Sequence, residues 1–403
     1  MDEHPFFDIV PASRYLPEIL PELLALRLFE RAPVGTTTRL LAVGDVGFSG
    51  RVANSAAGGG YGSLLDEIRP MLQTGQIVFG NLETPLLADT SAPAMFTGPT
   101  EAAKALAQSG FTLLNLANNH IRDHGPQGLH STMSALQSAG LAWVGAGQDA
   151  ASASELRRTD CCGLRIGWLG CGQTKEKQSA GGPYCWEYDP EAVLAAVRSA
   201  RPSVDVLVVS LHVGLMFLDY PKPEDKLVAE RLREAGADLV LMHHAHVIQG
   251  VQVDDRRRVI CYNLGNFLFD CQEGNVRAEV MVREQQEGAV FLFDLDREGV
   301  CRGLVLPTWT DENLRVRWAT GEQAERILQR LARISGDLES NYSTLFEKQR
   351  AERNAGLGLK VLMFHLKRGN CAYVWQVFRR LRWEHCRMVW QWLLGRLRIR
   401  SSR

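Results

Sequence analysis

The 403-residue chain reads as an α/β protein built on a largely parallel sheet. Three observations predict it: short apolar runs of strand length, helical segments between them, and proline or glycine at the helix ends where each is tolerated. The apolar runs are residues 40–44, 77–80, 111–117, 204–211 and 237–242. The helical segments are 101–109, 126–139, 190–200 and 223–235, with Pro126 and Pro190 in first turns and Gly110, Gly140 and Gly236 at expected C-caps.

Three regions follow in order. Residues 1–37 are expected as a helical appendage, because leucines recur at helical spacing between Leu16 and Glu30 and Pro33-Val34-Gly35 closes the segment. Residues 38–310 form the main domain. Beyond His246 its pattern changes to short strands without helices, at 250–253, 259–262, 278–283, 289–295 and 303–306, expected as an antiparallel second sheet packed on the first. Residues 321–403 are expected to be helical and basic.

Composition is that of an ordinary globular protein, 45% hydrophobic and 23% charged, with a chain long enough for a large core. The net charge of −1 conceals a cationic tail: after Arg353 the only acid is Glu384, against eleven lysines and arginines. Trp375, Trp383, Trp390 and Trp392 are interleaved with those cations. A basic helix with tryptophans suits a membrane surface or a synthase-complex contact through residues 356–403. No recognised nucleic-acid module accompanies the charge, so nucleic acid is not an expected partner. The acidic start lacks a secretory signal and no run is long and apolar enough to span a bilayer, which predicts a cytoplasmic protein, peripheral at the inner membrane face. Nine cysteines without a CxxC pair predict neither a disulfide framework nor a zinc-thiolate site.

The chemistry lies where the apolar runs stop. They lead into Asp45, into Asn81-Leu82-Glu83, into Asn118-Asn119-His120, into His212 and into His244-Ala245-His246. One polar residue merely stops a strand. Five such endings in chain order point to a site, because ligands of open α/β sheets sit beyond the carboxyl ends of the strands. Asp45, Glu83, Asn119, His212, His244 and His246 together make a mixed oxygen and nitrogen set for one or two divalent ions, manganese, zinc or iron. Two ions would activate a water and clamp the oxygens of a transition state. His120 is the candidate general acid. Asp123 either holds that imidazole or caps the helix near Pro126, and capping is the commoner role. Asn81, Asn118 and Asn266 are candidates for touching substrate.

Gly44-Asp45, Gly80-Asn81-Leu82-Glu83, Ala117-Asn118-Asn119-His120, Ser210-Leu211-His212-Val213-Gly214, His243-His244-Ala245-His246 and Leu264-Gly265-Asn266-Phe267 resemble the successive motifs of the CapA/PgsA family. These are capsule and poly-γ-glutamate synthesis proteins, a branch of the calcineurin-like metallophosphoesterases, and the resemblance covers about residues 38–272. It implies a four-layer α/β/β/α sandwich with metal ligands Asp45, Glu83 or Asn81, Asn119, His212, His244 and His246, and His120 as the acid. This chain departs from the pattern at Gly47, where the superfamily has histidine, at Asn81/Glu83 in place of a bridging aspartate, and at Leu215-Met216, where the capsule family has glutamate. The first departure implies one ion or a weakened second site.

The expected function is a metal-dependent hydrolase acting on an amide, γ-glutamyl or phosphoester bond of an anionic polymer or peptide-like substrate. Two alternatives remain open at this level. Asp45 and His246 could invert a peptide α-carbon as a two-base pair, or the chain could be a non-catalytic accessory subunit of a membrane polymer synthase.

Overall fold

A strand with apolar residues on both faces needs cover on both sides, and the middle strands of this protein are of that kind. In β3 (Thr38–Val46), Leu40 and Ala42 enter one core cluster while Leu41 and Val43 enter another. The computed structural model describes residues 7–18, 22–55, 60–89, 96–175, 178, 182–270 and 283–353. It comprises two units, residues 1–270 with 283–340, and 271–282 with 341–403. The sheets and the site belong to the first; in the second, residues 342–353 are helical.

Along the chain, β1 (Asp8–Pro11), β2 (Leu24–Glu30), β3, β4 (Ile77–Leu82), α1 (Glu101–Ser109), β5 (Leu113–Asn115), α2 (Gly125–Ser138) and β6 (Ala142–Val144) build the first sheet and its outer helices. The chain then crosses to a second sheet with β7 (Arg157–Cys161), β8 (Leu164–Gly172), α3 (Pro190–Ala200), β9 (Val206–His212), α4 (Pro223–Ala235), β10 (Leu239–His243), β11 (Val251–Val253) and β12 (Val259–Cys261). It returns to the first sheet through β13 (Asn266–Leu268), β14 (Glu287–Asp296), β15 (Gly299–Thr310) and β16 (Val316–Trp318), and α5 (Gly321–Ser340) follows. The first sheet runs β1-β2-β15-β14-β3-β4-β5-β6, with β13 beside β3 and β16 beside β15; the second runs β7-β8-β9-β10-β12-β11. The pairs β3–β4–β5–β6 and β8–β9–β10–β12 are parallel.

The two sheets face each other across one core. Phe79 of β4 stacks on Trp168 of β8 with ring centroids 5.3 Å apart, and Leu40, Ala42 and Leu113 share that core with Val206, Val208 and Leu241. Outside, Leu106 of α1 and Leu129 and Leu136 of α2 cover Val78 and Leu114. On the other outer face, α3 packs on β8 and α4 on β10. The result is the four-layer α/β/β/α sandwich. Helix α5 closes one side with Ala324, Ile327, Leu328 and Leu331 in the inter-sheet core, and the Ser335 hydroxyl accepts from Val251 N at 2.9 Å.

Two expectations are corrected here. The described residues of 1–37 are not a helical appendage: Leu24–Glu30 is a strand paired antiparallel with β15, and Leu26 and Leu28 enter the inter-sheet core. Pro21 interrupts any helix, and leucines at 24, 26 and 28 also carry the two-residue period that a waiting sheet edge selects. The strands beyond His246 do not form a sheet of their own either: β11 and β12 extend the second sheet, while β14 and β15 extend the first. Residues 278–282 of one expected strand, and the basic tail from 354 onward, lie outside the described residues. No helix among the described residues is long and apolar enough to cross a membrane.

Candidate metal centre

Parallel pairing aligns the strand ends, so the register itself assembles the site. Asp45 stands opposite Asn81, Asn81 opposite Asn115, and His212 opposite His243. Glycine is required at 44: a Cβ there would lie 1.9 Å from the Gly265 carbonyl oxygen, the atom that accepts from Asp45 N at 2.9 Å. After β10 the backbone turns sharply, with φ 95° at His244 and 56° at His246. Left-handed backbone at a non-glycine residue costs about 1–2 kcal/mol each, and here it carries both imidazoles to the ends of the first sheet.

The resulting distances define two overlapping ligand sets. Asp45 Oδ2 lies 3.4 Å from His246 Nδ1, and Glu83 Oε1 lies 3.8 Å from His246 Nε2 and 3.6 Å from His212 Nε2. His212 Nε2 is in turn 3.1 Å from His244 Nδ1 and 2.8 Å from Asn119 Oδ1. Asp45, Glu83 and His246 form one set, and Glu83, His212 and His244 the other, each with donor atoms within 4.8 Å of one another. Glu83 belongs to both. Its two oxygens are buried and accept no hydrogen bond among the described residues. An unpartnered buried carboxylate is costly, and two donors bound to one ion at about 2.1 Å each stand about 3–4 Å apart. The residues therefore fit a divalent cation, with Glu83 placed to serve two.

Charge in the cleft agrees. Burial alone would push the Asp45 carboxyl up, but hydrogen bonding from His243 and His246 and the nearby His212 hold it well below its ordinary range. Burial drives Glu83 up to about 8, against the pull of His246. Burial lowers His246, yet the Glu83 charge and contacts with Asp45 and Asn266 raise it to about 9. Burial takes His244 down to about 4 and His212 well below its usual value, with neighbouring imidazoles adding to both. His212, His244 and Asp45 are thereby held in the protonation states a metal ion takes, whereas Glu83 and His246 each hold a proton that a bound ion would displace.

His120 stands apart from this floor. Its Nδ1 is 2.6 Å from Asp123 Oδ2, and its ring lies against Phe96 at a 38° tilt with centroids 3.7 Å apart, a contact that leads through Phe269 to His246 at centroid distances of 6.2 and 4.9 Å. Burial lowers its pKa, partly offset by Asp123. Asp123 does not cap the following helix: His124 is the N-cap of α2 and makes no side-chain cap. Its carboxylate holds the His120 ring.

The three asparagines expected to touch substrate are placed differently. Asn81 is fully buried, donates to Asp45 Oδ1 at 2.9 Å and accepts from Asn115 at 2.9 Å. Asn118 is buried, donates to Leu82 O at 2.8 Å and accepts from the amides of His120 and Ile121. Asn266 accepts from His246 Nδ1 at 2.9 Å. All three hold ligands or their loops. The two-base alternative also fails on geometry, because Asp45 and His246 touch at 3.4 Å and leave no room for a carbon between them.

Other residues carry weight that the strand-end pattern did not single out. His243 is fully buried, with Nδ1 3.4 Å from Asp45 Oδ1. Its signal was its place as last residue of β10, directly before His244. Lys175 Nζ lies 2.8 Å from His120 Nδ1 and 3.3 Å from Asp123 Oδ1. The strand it follows, β8, ends in Gly172 and not in a donor, so no strand-end pattern marks Lys175. At Gly47 a Cβ would lie 2.8 Å from the Phe269 ring; the ring fills the space a histidine would need.

Residues 39–271 match the family model described as bacterial capsule synthesis protein PGA_cap. The capsule biosynthesis protein CapA of Bacillus anthracis is 26% identical over 76% of this chain and 79% of its own length. The PGA biosynthesis protein CapA of Bacillus subtilis is 28% identical over 66% of this chain and 70% of its own length. Among solved structures, a phosphatase from Mycoplasma pneumoniae aligns with a TM-score of 0.46 at 10% identity, covering 77% of this chain and all of that one.

Proposed function

The chain belongs to the bacterial capsule synthesis protein family, and from that membership we propose that it is a metal-dependent hydrolase serving the synthesis of an anionic capsular polymer of the poly-γ-glutamate kind. The bond it cleaves in this reading is an amide or γ-glutamyl linkage, with a phosphoester as the variant the same site would accept. One observation carries the reading: Glu83 is shared by two ligand sets while both its oxygens lie buried without a hydrogen-bond partner among the described residues.

Asp45, Glu83 and His246 would hold one ion, and Glu83, His212 and His244, with Asn119 against His212, a second. A divalent ion bound there supplies a Lewis acid that polarises the scissile carbonyl or phosphoryl oxygen. The remaining steps belong to the chain's own residues. Asp123 accepts from Nδ1–H of His120, which leaves Nε2 to take a proton from the attacking water and hand it to the departing group. Phe96 and Phe269 wall the space between His120 and His246 and limit water there. His243 and Asn81 fix the Asp45 carboxylate from beneath.

The test is elemental analysis of the purified protein paired with hydrolysis of a p-nitrophenyl phosphodiester and of a γ-glutamyl peptide, in wild type and in His244→Ala. The reading expects at least one equivalent of manganese, zinc or iron, and a loss of metal and of turnover by about a hundredfold in the variant. A wild-type protein with no bound metal and no response to added manganese or zinc would sink it.

A further inference from the structure

Lys175 is the one cation the structure brings against His120 among the described residues, and its contacts there are ill-formed. Nζ lies 2.8 Å from Nδ1 and 3.3 Å from Nε2 of the same ring. The lone-pair directions of the two nitrogens diverge, so one ammonium cannot donate well to both. Nδ1 is moreover 2.6 Å from Asp123 Oδ2. A ring nitrogen that donates to a carboxylate cannot also accept from an ammonium. What remains is the Asp123 Oδ1 contact, long at 3.3 Å. The lysine side chain is 47% exposed, against 12% for His120 and 20% for Asp123. Beyond these groups its described neighbour is an aromatic face, Phe96, 5.8 Å away. An ammonium with three donors, one long carboxylate contact and an open side is placed to take an anion from outside the protein.

We propose that Lys175 determines leaving-group specificity: it binds a carboxylate carried on the carbon next to the atom that His120 protonates. This rests on the hydrolytic reading and names the substrate feature that reading leaves open. Hydrolysis of such an amide breaks the C–N bond, leaves the hydroxyl of water on the acyl carbon, and passes the proton that water loses through His120 Nε2 to the amine nitrogen. Where the amine is an α-amino acid, its carboxylate oxygens lie about 3 Å from that nitrogen by bond lengths alone. Lys175 Nζ is 3.3 Å from Nε2, so a nitrogen hydrogen-bonded to Nε2 brings the carboxylate within reach of the ammonium. Engaging it costs Lys175 only its poor contact with the ring. An amine without that carboxylate gains nothing from Lys175.

The experiment is a four-way binding cycle by isothermal titration calorimetry on the full chain. The probes are γ-linked diglutamate and the same dipeptide with the α-carboxyl of its second residue amidated. The proteins are wild type and Lys175→Met, with Lys175→Arg as the charge-preserving control and thermal melting to show that each is folded. Amidation is expected to weaken binding to wild type about tenfold or more, the scale of one charge-assisted hydrogen bond. Lys175→Met is expected to lose the same factor and to ignore amidation, and Lys175→Arg to regain part of the discrimination. Equal sensitivity to amidation in wild type and Lys175→Met overturns the assignment, as does wild-type protein that binds neither dipeptide. An intact cycle without hydrolysis by any variant would sink the hydrolytic reading and leave Lys175 as the carboxylate site. Hydrolysis with a flat cycle would do the reverse.

Discussion

The two sheets reach the same cleft with different chemistry. The ends of β3, β4 and β5 deliver oxygens, from Asp45, Glu83 and Asn119, whereas the ends of β9 and β10 deliver nitrogens, from His212, His244 and His246. The oxygen side is held by a net of amides: Asn115 donates to Asn81, which donates to Asp45, and Asn118 ties the following loop. The nitrogen side is held by backbone, through the left-handed turns at His244 and His246. Neither sheet completes a ligand set alone, since each set mixes donors from both. A cation in this cleft would therefore join the sheets, and its binding would be coupled to their packing.

Three experiments bear on that comparison. The largest effect is expected from Glu83→Ala, which removes the oxygen common to both sets. It should strip bound metal from both, read by elemental analysis, and lower any turnover by a thousandfold or so, about 4 kcal/mol. Retention of one full equivalent would show that the sheets hold ions independently.

Next comes Asp123→Asn, which acts on the acid rather than on the floor. Metal content should stay at the wild-type level while kcat falls about a hundredfold, the usual worth of a positioned general acid. Metal loss in this variant would erase the separation between floor and acid.

The smallest effect is thermal. Manganese or zinc at about a hundred times its Kd should stabilise the wild type by about 2.7 kcal/mol, seen as a rise in melting temperature. The same addition should leave Glu83→Ala unmoved. A shift of equal size in both would mean that the ion binds elsewhere.

Much of the site was legible in the sequence because each donor directly follows an apolar run, and a parallel sheet aligns run ends automatically. Asp45, Glu83, His212 and the His244/His246 pair are of this kind. The burial of Asn81, Asn118 and Asn266 was not legible, since an asparagine at a strand end has the same neighbours in sequence whether it faces substrate or a ligand. The role of Asp123 stays open between two readings for a related reason. An acid just before a helix commonly caps it, and only the fold of residues 118–125 shows its carboxylate turned to His120. Lys175 and Phe269 reach the cleft from separate loops, and no local period records that.

Local order in the chain determined the five strands that end in the cleft, the four central helices and the kinds of donor at each strand end, because periodicity and terminal residues act over a few neighbouring positions. Tertiary structure alone decided that Leu24–Glu30 would join a sheet edge instead of coiling, and that β14 and β15 would return to the first sheet. It also decided that Glu83 would stand between two groups of imidazoles. Those outcomes depend on which surfaces meet across hundreds of residues, and burying an apolar face or a charged group is settled only by the partner it meets.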